Sequence, residues 1–380
     1  MTVPQPPLKK PITDNPETSF TLSSAYYLDF DLYEKEKEAI FYRTWQYVIP
    51  AARLPNVGDY QTFDICDERI FVIRSVDNEL RAFYNVCRHR AHALLEGSGN
   101  KPNAIVCPYH AWGYRSDGQL ISAPMSEDRL GFDRQDYSLK SIRLEVFCGC
   151  IFVNLDDSAE PLASMAAELE SDIRGYVPDI DAFDVQGSNI LGETHMEAGW
   201  KVVVDNFVEC YHCECAHPDF ASLIDMSEYR LDVFDYWSRQ LGPRIRHENS
   251  AYPVSKDDTM QQAVFWYLWP NTTFNVMPGS LEMAVYAVRP VSHTSSRFEG
   301  EVLVGSEPSN SQRVNYTADI LSPEDIALCE SVQRGLGSRS YDQGPIMVDK
   351  ALSGRGEQGL HHFHRLVHEA LGADGVCLEG

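Results

Sequence analysis

Two cysteines and two histidines in the first third of the chain constrain its fold more than any other feature. Cys87 and His89 are followed by Cys107 and His110, which gives the pattern C-x-H-x17-C-x2-H in a chain of 380 residues. Short β-like runs bounded by turn residues flank both halves of the pattern. The four side chains can meet only if both halves form loops at one end of a β structure. The pattern therefore predicts a β domain built around a metal centre.

The mixed ligand set indicates which metal centre this is. In a Rieske [2Fe–2S] centre, two cysteines hold one iron and two histidines hold the other, which raises the reduction potential above that of all-cysteine clusters. A zinc site uses the same residue types, but it commonly groups its two cysteines in one half and its two histidines in the other. Here each half supplies one residue of each type. This arrangement favours the Rieske centre over zinc and over a chance grouping.

A second set of metal-binding residues follows in the segment DNFVECYHCECAHPDF, which contains Glu209, His212 and His217. The apolar run before it is typical of a helix, which we expect to extend from about residue 200 to residue 212. Two histidines five positions apart do not share one helical face, so His217 must come from the helix end, where Pro218 stops the helix. Two histidines and one carboxylate form the facial triad that holds Fe(II) and leaves other positions open.

The carboxylate of this triad is not fixed by the residues alone. Ser322 and Pro323 resemble the cap and first position of a helix, and acidic residues in the first turn would then serve only to stabilise that helix. The third ligand stays open at this point among four downstream acids, which are Asp319, Glu324, Asp325 and Glu330.

The remaining sequence predicts an α+β chain in three parts. Residues 46–156 form a compact antiparallel β domain, with turns at Asp77-Asn78 and at Ser116-Asp117-Gly118. Residues 157–380 alternate between strands and helices and carry the second motif, with a β-like run near Ile190 and helices over about 323–336 and 356–371. Residues 1–45 end in an amphipathic helix over 31–45.

The composition narrows the class of protein. The formal net charge is −24, and such a surface repels phosphate backbones, so we expect no nucleic-acid partner. No stretch reaches the roughly 18 apolar residues of a membrane helix, and the N-terminus has no apolar signal segment. Ten cysteines are too few for a disulfide scaffold. We therefore expect a cytoplasmic protein with no membrane partner.

Together the two motifs resemble the oxygenase (alpha) components of the Rieske non-haem iron oxygenases, and the resemblance extends over nearly the whole chain. It implies a Rieske antiparallel β-sandwich followed by a helix-grip domain, in which a curved antiparallel sheet and a long helix enclose the iron. It also implies that the N-terminal segment, residues 1–45, packs with this catalytic domain. In this family an Asp completes the triad from a helix of the form E-D-x-x-x-x-E-x-x-Q, which here begins at Glu324-Asp325. The resemblance thus implies that Asp325 joins His212 and His217 as an iron ligand.

The family also has an acidic residue three positions before the first histidine ligand. That residue bridges the cluster of one subunit to the iron of its neighbour in a ring-shaped homotrimer. Most members have Asp there, whereas this chain has Glu209. The exchange is similar to the subgroup that acts on quaternary ammonium compounds, which includes carnitine monooxygenase and the betaine demethylases. The segments ESVQRGLGSRSYDQGPIMVDK and EQGLHHFH also look like the carnitine oxygenase component.

The activity implied by the resemblance needs a second protein. A reductase with flavin and a plant-type cluster would pass NAD(P)H electrons to the Rieske centre, and Fe(II) would use O₂ to hydroxylate a C–H bond next to a quaternary nitrogen. Carnitine would give trimethylamine and malic semialdehyde, and a betaine would lose formaldehyde. The alternative within the same fold is an aromatic ring-hydroxylating dioxygenase or an O-demethylase. A simple electron carrier would need only the first domain.

Two further groups of residues have a structural and a functional interpretation. Three cysteines crowd the iron motif, and we expect them to be buried small residues: Cys210, Cys213 and Cys215. Four aromatic residues lie in the predicted strands around the iron, and these are Tyr267, Trp269, Phe274 and Tyr286. Aromatic faces can hold a trimethylammonium group through cation–π contacts, but each of these residues could equally be part of the core.

Overall fold

The structure is a computed structural model that describes residue 6 and residues 8–185, 193–305 and 309–372. The chain forms two compact units, one made of residues 41–162 (the β unit) and the other of residues 1–40 and 163–380 (the mixed unit). Antiparallel sheets organise both units, and helices cluster in the mixed unit, as the α+β class requires. The expected limits of the functional domains, 45/46 and 156/157, stay predictions.

The β unit contains ten strands in two antiparallel sheets. The strands are β1 (Gln46–Pro50), β2 (Asp59–Ile65), β3 (Glu68–Arg74), β4 (Leu80–Tyr84), β5 (Ser98–Asn100), β6 (Ile105–Val106), β7 (Gly113–Tyr114), β8 (Leu120–Ser122), β9 (Ser141–Phe147) and β10 (Cys150–Asn154). Seven of them form one sheet in the order β1-β10-β9-β4-β3-β2-β5, and β6, β7 and β8 form the other.

Local sequence explains the two hairpins that frame the cluster motif. Asn78 adopts φ +69° in the turn between β3 and β4, and Gly118 adopts φ +90° in the turn between β7 and β8. Asn and Gly tolerate this left-handed region better than other residues. Both predicted turns are therefore confirmed. The motif loops follow β4 and β6, so the ends of the two sheets carry them.

A large antiparallel sheet organises the mixed unit. Its strands are β11 (Asp184–Val185), β12 (Glu193–Met196), β13 (Arg230–Val233), β14 (Trp237–Gly242), β15 (Ala263–Leu268), β16 (Thr272–Val276), β17 (Glu282–Ser292) and β18 (Ser295–Val304). The order is β11-β18-β17-β16-β15-β14-β13, and β12 pairs with β18. The β-like run predicted near Ile190 begins outside the described residues.

Ten helices accompany the described strands. They are α1 (Ala25–Leu28), α2 (Phe30–Glu36), α3 (Leu162–Met165), α4 (Leu169–Tyr176), α5 (Trp200–Phe207), α6 (Cys213–Ala216), α7 (Pro218–Leu223), α8 (Ser311–Tyr316), α9 (Ser322–Leu336) and α10 (Gln358–Ala370). The helices predicted over about 323–336 and 356–371 are confirmed as α9 and α10. A π-helical turn, Lys37–Phe41, continues α2 toward the predicted end at residue 45.

Three local expectations about the helices were wrong. The helix expected to reach residue 212 ends at Phe207. Pro218 does not simply stop a helix but occupies the first turn of α7, where its missing N–H has no helical partner to lose. Ser322 is not a cap, because a π-helical turn, Thr317–Leu321, joins α8 to α9. The helical run into α9 was missed because its first turns are polar.

The N-terminal segment and α10 enclose the helix that leads to the iron motif. Glu36, at the end of α2, is fully buried and accepts hydrogen bonds from Trp200 Nε1 at 2.8 Å and from the ammonium group of Lys201. On the other side, a Cβ on Gly359 of α10 would lie 2.0 Å from the carbonyl oxygen of Val208. Only glycine permits this approach, so α10 lies directly against the end of α5. Among the described residues, no helix is long and apolar enough to cross a membrane.

We expect Glu36→Gln to lower the free energy of unfolding by about 3–5 kcal/mol, because it leaves the buried Lys201 ammonium without a counter-charge. Urea unfolding followed by tryptophan fluorescence measures this loss. Glu170→Gln is the control, since Glu170 forms an exposed ion pair with Arg174 and its loss should cost less than about 1 kcal/mol. Equal losses in the two variants would contradict the role of the buried pair.

Candidate functional site

The two halves of the cluster motif form loops with the same backbone geometry. In each loop the N–H of the cysteine, Cys87 or Cys107, donates to the carbonyl five residues on, at 2.8 Å. The N–H four residues on donates back to the cysteine carbonyl, at 2.9 and 3.0 Å. The residue at this position, Ala91 or Ala111, has a left-handed φ of 55° or 54°. The sequence spacing differs between the halves, but the loop that presents the side chains is the same.

The loops bring together all four residues of the motif. The rings of His89 and His110 lie 4.6 Å apart, and the Cys87 Sγ lies 3.4 Å from the hydroxyl of Tyr114. Burial raises the pKa of the Cys107 thiol, and the adjacent Cys87 thiol raises it further, while backbone N–H groups oppose the change. A pair of thiols and a pair of imidazoles thus share one site.

Aromatic side chains cover the histidine side of this cluster site. The ring of Trp112 stacks on that of His89, with centroids 4.9 Å apart and an interplanar angle of 6°. The ring centroids of Tyr109 and His110 lie 3.7 Å apart. Loss of solvation lowers the pKa of His89, and the neighbouring His110 and Arg90 lower it further. A lowered pKa favours the neutral imidazole, which is the form that binds metals.

The second motif folds as a chain of short helices. His212 immediately precedes α6, and His217 lies between α6 and α7, where it precedes Pro218. Asp325 projects from the first turn of α9. Two short helices therefore turn both imidazoles toward one point, which a single longer helix could not do.

One donor atom from each of His212, His217 and Asp325 lies within 4.8 Å of the other two. Asp325 Oδ1 lies 2.9 Å from His217 Nε2 and 3.6 Å from His212 Nε2. Of the alternative acids, Glu330 accepts a backbone N–H at 3.3 Å instead, and Asp319 lies outside this group. The structure brings together the residues that the resemblance implied, and their role as metal ligands stays a prediction.

A carboxylate orients each of the two imidazoles from behind. Glu209 Oε1 lies 2.5 Å from His212 Nδ1, and Glu324 Oε2 lies 2.7 Å from His217 Nδ1. Both Nε2 atoms therefore face Asp325. Such outer carboxylates fix the tautomer of a metal-binding histidine and raise its basicity. Glu324, a candidate ligand by sequence, thus contacts the far side of the candidate ligand His217 instead.

Electrostatics in this group favour shared protons or a cation. Burial lowers the pKa of His212, but hydrogen bonds to Asp325 and Glu209 outweigh it and raise the pKa to about 10. Burial raises the pKa of Asp325, but the two histidines outweigh it and bring the pKa down to about 2. A metal ion would compete with protons for the same imidazole nitrogens.

A cavity of about 320 Å³ adjoins Asp325. Its wall is mostly apolar, and Tyr286 and Phe298 form a stacked aromatic pair in it, with ring centroids 4.5 Å apart. The lining residues are Thr194, Met196, Val203, Asn206, Phe207, Tyr286, Phe298, Ala318, Ser322, Pro323, Asp325, Ile326 and Cys329. Asn206 and Phe207 also line the smaller space beside the histidines.

Only one of the four candidate aromatic residues lines the described cavity wall. Tyr286 lines it, whereas Tyr267, Trp269 and Phe274 are buried in the core and do not. Phe298 was missed because it lies on an irregularly buried strand that shows no apolar run. On β18, Phe298 lies opposite Val288 of β17 and Thr194 of β12. It therefore shares a sheet face with the lining residues Thr194 and Tyr286.

The cysteines near the iron motif were only partly described by the expectation. Cys210 and Cys213 are buried, as expected, but they form a disulfide with each other. Cys215 is exposed, which contradicts the prediction that it is buried. The short helix α6 explains this, because Cys213 faces the core and Cys215 is rotated about 200° from it at two positions further on.

Comparisons with known proteins agree with this arrangement. The Rieske [2Fe–2S] domain family matches residues 44–142, and the family "Ring hydroxylating alpha subunit (catalytic domain)" matches residues 191–373. The chain is 36% identical to the carnitine monooxygenase oxygenase subunit of Acinetobacter baumannii, over 93% of this chain and 95% of that protein. It is 29% identical to the chloroplastic choline monooxygenase of Beta vulgaris, over 94% and 78%.

Solved structures also match this chain over most of its length. The quaternary ammonium Rieske monooxygenase CntA in complex with its substrate L-carnitine matches with a TM-score of 0.84 and 34% identity, over 94% of this chain and 97% of that one. A naphthalene 1,2-dioxygenase with bound indole matches with a TM-score of 0.76 at 20% identity, which supports the fold alone.

We expect Asp325→Ala to remove one iron per chain and to leave the visible absorption of the cluster unchanged, because the two histidines alone form an incomplete site. Iron analysis combined with visible and EPR spectra measures both centres. Glu330→Ala is the matched control, an acid on the same helix that does not face the histidines, and it should keep full iron. Full iron retention in Asp325→Ala would contradict the assignment.

Proposed function

We propose that this chain, which belongs to the Rieske non-haem iron oxygenase family and is a Rieske monooxygenase, acts on a quaternary ammonium compound as the oxygenase component of a two-component system. One observation carries the proposal. The His212, His217 and Asp325 group adjoins an apolar cavity whose wall contains the stacked pair Tyr286 and Phe298. A metal centre beside aromatic faces suits a substrate with a methylated cation.

The donor chemistry of both sites fits the metal groups of this family. Two imidazoles and a carboxylate suit Fe(II), so we assign His212, His217 and Asp325 as the mononuclear iron ligands. Paired thiols and paired imidazoles suit the two irons of a Rieske cluster, and we assign these as Cys87, Cys107, His89 and His110. When bound, the cluster would supply electrons one at a time and the iron would activate O₂.

The protein residues contribute orientation and exclusion of water. Glu209 and Glu324 hold the Nδ1 side of the two imidazoles, which directs both Nε2 atoms to one point. Val203, Met196 and Ile326 provide apolar walls next to that point. A C–H bond of the substrate can therefore be held beside the metal position against a mostly apolar wall.

Glu209 has a second assignment in this proposal, as the inter-subunit electron bridge. Its carboxylate binds His212 Nδ1 and also accepts the backbone N–H groups of Tyr211 and His212. It therefore has a fixed position next to an iron ligand. We propose a homotrimer, in which Glu209 connects this iron site to the cluster of a neighbouring subunit, and a separate flavin and [2Fe–2S] reductase that uses NAD(P)H. We place the protein in the cytoplasm.

The reaction balances as a monooxygenation. Substrate, O₂, two electrons and two protons give a hydroxylated product and water. When the hydroxyl is on the carbon bonded to the quaternary nitrogen, the C–N bond breaks, the nitrogen leaves with the bonding pair, and the hydroxyl loses its proton. Carnitine would then give trimethylamine and malic semialdehyde, and a betaine would give formaldehyde and a tertiary amine.

Product analysis tests the substrate class. Iron-loaded protein with a compatible reductase, NADH and O₂ should convert at least one of choline, carnitine, γ-butyrobetaine, glycine betaine and proline betaine, with trimethylamine or formaldehyde as the product. No product from any quaternary ammonium compound, with reduction of the cluster verified, would contradict the proposal. Turnover of an aromatic compound under the same conditions would favour the ring-hydroxylating alternative.

We expect Glu209→Ala to retain both metal centres and to lower turnover at least about 100-fold, because the carboxylate that fixes His212 and connects the centres is lost. In stopped-flow absorption, the pre-reduced cluster should stay reduced when substrate and O₂ are added. Glu214→Ala is the matched control, since Glu214 forms only an exposed ion pair with Arg355. Loss of the mononuclear iron in Glu209→Ala would instead make Glu209 part of the metal site.

A further inference from the structure

The cavity beside Asp325 contains no cationic side chain. Among its lining residues the only ionisable carboxyl is that of Asp325, and no Lys, Arg or His is present. The parts of the chain that the structure does not describe also contain no Lys, Arg or His in their sequence. All Lys, Arg and His side chains of the chain therefore belong to described residues, and none of them lines this cavity.

The guanidinium group whose charge affects the cavity residue Tyr286 is that of Arg313, and it already forms an ion pair. Burial raises the pKa of Tyr286, and the positive charge of Arg313 partly opposes this. Arg313, however, is buried in an ion pair with Glu282 at 2.7 Å, and Glu282 also accepts hydrogen bonds from Ser280 and Ser309. Glu282 therefore balances its charge, and Arg313 itself does not line the cavity.

The metal position adds negative rather than positive charge to this environment. Asp325 faces both imidazoles, and Glu209 and Glu324 contact them from behind. Three carboxylates thus surround a point that would hold a doubly charged Fe(II). The formal sum with neutral imidazoles is one negative charge, which attracts a cation and repels an anion.

The described cavity wall offers a carboxylate no charged partner. Among the described residues, the polar side-chain groups that line it, apart from Asp325, are the hydroxyls of Thr194, Ser322 and Tyr286, the thiol of Cys329 and the amide of Asn206, and none of them is cationic. A carboxylate that leaves water is costly to bury unless a charged partner accompanies its hydrogen bonds. A trimethylammonium group needs no hydrogen-bond donor, because the rings of Tyr286 and Phe298 and the nearby carboxylates stabilise it.

From these observations, and on the basis of the proposed function, we infer that the preferred substrate is a quaternary ammonium compound without a carboxylate, that is, a choline-like amino alcohol rather than carnitine or a betaine. The site recognises the cationic end. The hydroxyls of Thr194 and Ser322 and the amide of Asn206 suit an alcohol group at the other end. The specificity-determining feature is the combination of the aromatic pair with the missing cation.

Calorimetric binding to the iron-loaded protein tests the inference with three ligands of nearly equal size. Choline and glycine betaine differ by the exchange of an alcohol for a carboxylate, and 3,3-dimethyl-1-butanol is a neutral isostere of choline. We expect choline to bind at least about tenfold more tightly than either of the others. L-Carnitine should bind with an affinity closer to that of glycine betaine.

Each of the other possible results contradicts one defined part of the inference or of the proposed function. If glycine betaine or carnitine binds as tightly as choline or more tightly, the inference fails and the proposed function stands. If the neutral isostere matches choline, recognition of the charge fails. If no quaternary ammonium compound binds and none is turned over, the proposed function itself fails.

Variants of Phe298 give a second readout. Phe298→Leu keeps an apolar wall but removes a ring face, so choline affinity should fall about fivefold to tenfold while affinity for the neutral isostere changes little. Phe298→Trp keeps a ring and should retain selectivity for choline. An equal loss for both ligands in Phe298→Leu would mean that the residue only shapes the cavity, and would overturn its role in cation recognition.

Discussion

The contact between Asp325 and His217, 2.9 Å long, joins residues that are 108 positions apart. Everything about the candidate iron site depends on it. The imidazoles come from two short helices in one segment, and the carboxylate comes from the first turn of α9. That turn reaches the imidazoles because the helical run from α8 into α9 is continuous across the cavity. The same run contributes Ala318, Ser322 and Ile326 to the cavity wall, so the element that supplies the carboxylate also forms part of the cavity.

The buried cations of the mixed unit serve its structure. Lys201 pairs with Glu36, Arg289 with Glu299 and Arg313 with Glu282, and all three cations are buried, with at most 6% of their surface exposed. Each pair avoids the large cost of an isolated buried charge. The Glu36 pair connects the N-terminal helix to α5 and thereby supports the helix before the iron motif. None of these cations lines the cavity, where Asp325 is the charged residue among the described lining residues.

The predictions from sequence succeeded where one residue type has a strong local meaning. Asn78 and Gly118 mark turns because they tolerate positive φ, and both turns are present. The helix of Asp325 was predicted, but its start was not, because acceptance of Ser322 as a cap ignored the helical turns before it. The exposure of Cys215 and the core position of Trp269 were also beyond reach. Burial depends on which face of a helix or strand packs against another element, and the local amino-acid sequence does not contain that information.

By itself the sequence determined the kinds of donor atom, their grouping into two motifs and the β-rich setting of the first motif. These follow from residue chemistry and from short-range backbone preferences, which act within a few positions. Only the tertiary structure decided that Asp325 rather than Glu330 faces the histidines, that Glu324 lies behind His217, and that Tyr286 and Phe298 line a cavity without a cation. These are distances between segments far apart in the chain, and they are set by how helices and sheet pack around a common core.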